Sequence, residues 1–215
     1  MTNARKLTRA EQKALRPIQI LDAAFDEFVA NGFSAARVED IADRIGVTKG
    51  TIYVYFPTKE DLFAAMIRHI SVPLEDLLKE AGELKGSHEQ RLRSLLMLAY
   101  QRVAQDRRCR ELLRFVIAEG SRFRDVIDAH FAEVIEPLIQ RTQLILDEGI
   151  AAGEFRKAPA ANADIVVSPI LSLMMDLLIH DNKRPVDQQA YIEAHLDLVF
   201  NSLSQSKPQG GTVQA

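Results

Sequence analysis

Val38, Ile41, Ala42 and Ile45 fall at offsets of 0, 3, 4 and 7. A helix over these residues has one apolar face and leaves Glu39, Asp40, Asp43 and Arg44 in water. Gly46 suits the left-handed backbone state that closes a helix, and Val47 beyond it returns an apolar contact to the same small core. Thr48 is placed to cap a second helix carrying Lys49, Gly50, Thr51, Ile52, Tyr53, Val54 and Tyr55, of which Ile52 faces inward. Pro57 stops that helix, and Thr58 with Asp61 three residues later caps another that begins at Lys59. Two short helices across a tight turn, the second exposing small, hydroxylated and cationic groups, form an arrangement that can put a helix into a DNA major groove.

Beyond Leu62 the pattern predicts mostly helix, with breaks near residues 82–87, 106–108, 120, 149–159 and 181–185, and about five helices after the one starting at Lys59. Leu92, Leu95, Leu96, Ala99 and Val103 form an inward stripe. Leu112, Leu113, Phe115, Val116 and Ile117 form a second apolar segment. A third runs from Phe123 past Phe131 to Leu146, and Pro137 kinks it unless a new helix starts there. Residues 165–180 carry one charged side chain, Asp176. The segment is short for a membrane span and contains Pro169, so a buried helix is expected. Ile192, Leu196, Val199 and Leu203 follow at steps of 4, 3 and 4 on the last helix. Two apolar helices near the C-terminus fit a pair contributed by each subunit to an intermolecular four-helix bundle, with Ile165, Ile170, Leu173, Leu177, Ile192, Leu196, Val199 and Leu203 in the seam; packing inside one subunit is the alternative.

At 215 residues and 47% apolar, the chain can bury one substantial core beside a small one. Its formal charge of -3 does not suit a surface wrapped in nucleic acid throughout. The distribution changes that picture. Residues 1–16 hold Arg5, Lys6, Arg9, Lys13 and Arg16 against Glu11 alone, which predicts a basic arm, with a disordered polar tail kept soluble by charge as the alternative for residues 1–8. Residues 17–60 hold four cations and seven anions, so DNA contact there must be local. The first residues lack the apolar core of a targeting signal, and a cytoplasmic protein is expected. Cys109 is the single cysteine, which excludes an intrachain disulfide. The spacing of Gly149 and Gly153 lacks the strand and lysine of a nucleotide loop. No catalytic set of serine, histidine and acid appears, and no cofactor motif.

The run ILDAAFDEFVANGFSAARVEDIADRIGVTKGTIYVYFPTKEDLF at 20–63, above all IADRIGVTKGTIYVYFPTKEDL, resembles the N-terminal domain of the TetR family of bacterial transcriptional regulators. The resemblance implies an all-α protein. A three-helix DNA-binding domain over 17–62, with a helix-turn-helix, would precede a larger effector-binding and dimerisation domain over 63–205 and a polar tail over 206–215. It makes the helix from Lys49 to Tyr55 the recognition helix. Thr48, Lys49, Gly50 and Thr51 then stand where base or phosphate contacts are usual, Tyr53 and Tyr55 where phenolic hydroxyls meet the backbone, and Lys59 where the next helix approaches phosphate. Arg44 is either a solvated charge or a phosphate contact. The family usually has threonine or serine at the positions of Ala36 and Arg37. Ala36 cannot cap, so Ser34 would cap the helix at a shifted start, and Arg37 would reach phosphate.

The same resemblance implies a homodimer and a small effector of unknown identity bound between the central helices. Met97, Tyr100, Phe115 and Phe131 are its candidate lining and His130 a polar contact, with core packing the alternative for each. His130 and Glu133 make only a partial metal set, so no metal is expected. The function expected is a ligand-responsive DNA-binding regulator, a repressor released from a palindromic operator by its effector. The competing reading is a helical small-molecule-binding or interaction protein of the same fold without operator binding, which would have lost Lys49, Thr51, Tyr53, Tyr55 and Lys59.

Overall fold

The structure, a computed structural model, describes residues 8–180, 183 and 186–204, and every regular element among them is helical. Arg5 and Lys6 of the expected arm, and the tail 206–215, lie outside the described residues. The helices are α1 (Arg9–Ala35), α2 (Val38–Arg44), α3 (Lys49–Tyr55), α4 (Lys59–Ile70), α5 (Val72–Glu83), α6 (His88–Ala99), α7 (Arg107–Glu119), α8 (Arg124–His130), α9 (Glu136–Ala151), α10 (Ala163–His180) and α11 (Gln188–Leu203). Two π-helical turns, Tyr100–Ala104 and Phe131–Ile135, extend α6 and join α8 to α9. With those joined, six continuous runs follow α4 among the described residues where about five were expected.

The chain divides into two compact units. One contains the described residues up to Ile70 together with Phe115–Ile127; the other contains Ser71–Arg114 and the described residues from Asp128 onward. This differs from a single boundary at residue 62. The reason is aromatic. Phe63 on α4 meets Phe28 and Phe33 of α1 edge to face, and Phe115 and Phe123 join them at centroid distances of 4.4 to 5.5 Å. The second half of α7 and the turn after it are thereby claimed by the first unit.

In that unit α1 begins eight residues before Pro17, because Thr8 and Glu11 form a reciprocal capping box. Arg9, Lys13 and Arg16 therefore belong to a helix and not to an arm. The helix is interrupted at Gly32, whose φ of 70° admits glycine readily. α2 and α4 both pack on α1, and α3 packs on α2. Ile41, Ile52, Leu62, Phe63 and Met66 are fully buried between them. Gly46 closes α2 in the left-handed state at φ 67°, as the pattern predicts.

In the second unit α9 is central, packed by α5, α6 and α10, while α11 lies on α6. Pro137 falls in the first turn of α9, and Glu136 N–H bonds the Phe131 carbonyl, five residues back. The wide π turn lets the run pass the proline without a break. Gly149 has no side chain because the Phe155 ring occupies its place: a Cβ would lie 2.2 Å from that ring.

The expected dimer seam is turned the other way. Ile170, Leu173, Leu177, Ile192, Leu196, Val199 and Leu203 are all buried within the subunit, and Ile165 alone of the eight is exposed. On a helix as uniformly apolar as α10, periodicity cannot distinguish the inner face from the outer. The apolar side chains left in water are Ile165, Leu171 and Ile179 on α10 and Leu198 on α11. α10 has the length and hydropathy of a membrane span, and a third of it is buried inside the protein.

Tyr100, fully buried, bonds His195 Nδ1 at 2.7 Å, joining the end of α6 to α11. Burial holds His195 below its ordinary 6.5, against an opposing pull from the Val166 backbone. Burial also raises the Tyr100 phenol, with a smaller contribution from Tyr191. Above pH 6.5 the imidazole is neutral in both folded and unfolded chains. Below that value the unfolded chain binds a proton that the buried ring resists, so stability falls with acid. His195→Gln is expected to cost about 1 kcal/mol near pH 7 through the lost bond. The gap to wild type should narrow between pH 6.5 and 5, read as urea midpoints across that range.

Candidate nucleic-acid interface and apolar cavity

α3 buries Ile52 and leaves the rest of its surface partly or fully in solvent. Thr48 caps it by accepting from Thr51 N–H at 3.2 Å, and the two hydroxyls lie 3.0 Å apart. Capping fixes the entry angle of the helix and so aims its polar groups. Thr58 and Asp61 form the corresponding cap on α4, with Thr58 Oγ1 donating to Asp61 at 2.7 Å. A Cβ on Gly50 would meet only Thr48 Oγ1, at 3.7 Å. Nothing inside the chain excludes a side chain there, so its smallness matters only to what approaches from outside.

The cations expected at this face are engaged. Lys49 Nζ donates to Glu39 at 2.7 Å and lies 5.5 Å from the Tyr53 ring. That bond lowers the Glu39 carboxyl and raises the Lys49 ammonium. Lys59 Nζ donates to the Ser34 carbonyl at 3.3 Å and sits 4.7 Å over the Phe33 ring. Arg44 pairs at 3.2 Å with Glu27, which is 3% exposed and also accepts from Asn31 at 2.7 Å. Its guanidinium is half-exposed, and through one nitrogen it holds the buried Glu27 carboxylate. Arg37 is the N-cap of α2 and makes no side-chain cap; Ser34 lies inside α1 and makes none either. α2 therefore starts uncapped.

Val54 is the residue that pattern reading passed over. It is 79% exposed on the outer side of α3, one turn beyond Gly50. An isolated exposed valine carries no sequence signal, and only the structure shows it turned outward between the half-buried Tyr53 and Tyr55.

The second unit holds an apolar cavity of about 360 Å³ between α5, α6, α9 and α10. Its walls include Leu77, Leu96, Phe131, Leu138, Ile139 and Met174; Thr142, Asp164 and Ser168 are the polar groups on it. Thr142 is already satisfied by the Leu138 carbonyl at 2.9 Å. Of the expected lining only Phe131 is there. Tyr100 is committed to His195, and Phe115 belongs to the aromatic cluster of the first unit. Met97 is half-buried and does not line this cavity. His130 Nδ1 lies 3.1 Å from Ser71 Oγ, and its burial lowers the imidazole pKa. Among the described residues no three histidine, cysteine or acidic side chains gather as a metal site. Burial pushes the Cys109 thiol up to about 12, so it is not a reactive thiolate.

Residues 20–66 match the family described as bacterial regulatory proteins, tetR family, and residues 90–168 match the AefR-like transcriptional repressor C-terminal domain. The HTH-type transcriptional regulator SrpR of Pseudomonas putida is 27% identical over 191 residues, 88% of this chain and 84% of that protein. A fatty acid metabolism regulator protein of Bacillus subtilis (strain 168) is 26% identical over 148 residues, 68% of this chain and 74% of that one. The crystal structure of the regulator FadR from Bacillus subtilis in complex with stearoyl-CoA superposes with a TM-score of 0.63 at 24% identity. It covers 86% of this chain and 98% of that one.

The Lys49–Glu39 pair has a measurable consequence. A phosphate approaching Lys49 would compete with a carboxylate that also repels it. Glu39→Gln is expected to tighten binding to any duplex several-fold at low salt and to steepen the salt dependence by up to about one unit per subunit. Fluorescence anisotropy across a salt series checks this; unchanged affinity and slope would show that Glu39 lies clear of the bound DNA.

Proposed function

The chain belongs to the TetR family of bacterial regulatory proteins and is a DNA-binding transcriptional regulator, and we propose that it is a homodimeric repressor released from its operator by a lipophilic effector. The observation that carries the effector reading is the cavity: an aliphatic enclosure among four helices, with few polar groups, is where an apolar chain gains most from leaving water. The relatives support the class of compound, since one is a fatty acid metabolism regulator and a structural neighbour holds stearoyl-CoA. The effector acts through differential affinity for forms of the protein that bind DNA well and poorly. Two α3 helices of a dimer would enter successive major grooves about 34 to 36 Å apart. A protein acting on chromosomal operators works in the cytoplasm.

Stearic acid and stearoyl-CoA are the probes. Either, at about 100 times its dissociation constant, should stabilise the full chain by roughly 2.7 kcal/mol and lower its affinity for operator DNA isolated by binding-site selection. Ala99→Phe, which fills the cavity from α6, should abolish both effects and leave DNA binding intact. Neither ligand shifting the melting temperature would remove the long acyl chain as effector.

The dimer is proposed to form through the exposed face of α10 and α11. Sedimentation equilibrium at micromolar concentration should give twice the 24.1 kDa chain mass. Ile179→Glu with Leu198→Glu should give the single mass with an unchanged circular dichroism spectrum, because both side chains are more than 60% exposed in the subunit. A wild-type monomer overturns this assembly.

A further inference from the structure

Lys59 and Arg122 arrive at one point from sequence positions far apart. Lys59 Nζ donates to the Ser34 carbonyl, and Arg122 Nη1 donates to the Ser34 hydroxyl at 3.2 Å. Each also lies over the Phe33 ring, Lys59 at 4.7 Å and Arg122 at 4.6 Å from its centroid. Neither makes an ion pair among the described residues, and Asp125, three residues after Arg122, does not pair with it. Two cations held around one serine without a carboxylate repel each other, and an anion between them would relieve that repulsion. Ser34 leads directly into α2. Arg37 follows at the uncapped start of that helix, and its charge acts on Glu39 and Lys49 at the head of α3. The paired cations therefore meet three residues before the N-cap of α2, the helix on which α3 packs.

We infer that Arg122, with Lys59, forms a clamp for a phosphodiester group of the DNA backbone flanking the groove that α3 enters. The inference rests on the DNA-binding reading above and adds to it a residue from the turn between α7 and α8, outside the helix-turn-helix. Phe123 next to Arg122 is 8% exposed and locked in the aromatic cluster, which fixes where the guanidinium can reach. Arg122 is exposed, and with one nitrogen on the Ser34 hydroxyl its guanidinium retains further N–H donors for a phosphate.

The test is binding of a random-sequence 30-base-pair duplex by the full chain, measured by anisotropy over a range of salt. Arg122→Ala should lower the slope of log affinity against log salt by about one unit per bound subunit, and Arg122→Lys should keep most of it. Lys59→Ala with Arg122→Ala should lower it by about two. Ser34→Ala removes the hydroxyl that Arg122 uses, keeps the carbonyl that holds Lys59 and leaves both charges, so its slope should stay near wild type. If Arg122 is only a strut between α1 and the returning segment, Arg122→Ala will lower affinity or melting temperature at every salt concentration with the slope unchanged, and the clamp is overturned. Wild-type protein that binds no duplex at all would instead overturn the DNA-binding reading.

Discussion

Phe28, Phe33, Phe63, Phe115 and Phe123 supply the contact on which the DNA-facing half of the protein depends. α2 and α3 are seven residues each, too short to hold themselves in water. Their direction is inherited from α1 and α4, and those two are held at a fixed angle by edge-to-face ring pairs, each worth about 0.5 to 1.5 kcal/mol beyond the area it buries. The same cluster takes in the end of α7. The end of α7 from Phe115 onward therefore belongs to the unit that holds α3.

Charge is organised just as locally. The chain is net acidic, yet Lys49 on α3 pairs with Glu39 of α2, and Lys59 and Arg122 meet at Ser34. Glu39 holds Lys49 in place, and both side chains of that pair are exposed. Arg44 sits on the other side of that balance, since its partner Glu27 is buried and depends on it. Neighbouring cations on a single short helix pair thus serve opposite ends, one exchangeable and one structural.

In the other unit the constraint is space. Cores are packed close to crystal density, so an aliphatic cavity of about 360 Å³ forfeits dispersion contacts that an apolar guest would restore. The π turn at Phe131–Ile135 borders this cavity through Phe131 and Ile135 and lies immediately before Pro137.

Local order was legible in the sequence, because it is written in nearest neighbours. Gly46 closing α2, Thr48 capping α3, Ile52 facing in and Thr58 with Asp61 heading α4 each depend on residues within four positions, and each stands where spacing placed it. The family motif added the role of α3, which spacing alone leaves open. Thr8 with Glu11 was equally local and went unread only because Pro17 drew the boundary. What needed the tertiary structure were questions of side and partner. Leu196 and Val199 form the stripe expected of α11, but which surface that stripe meets is set by α6, and on α10 apolar residues point every way. Tyr100 and Phe115 read as cavity wall and proved to be bound to His195 and Phe63. Arg122 carried no motif at all. Its position beside Lys59 exists only because Phe123 is buried against rings that lie sixty and ninety residues earlier in the chain, roughly the separation at which local pattern holds no information.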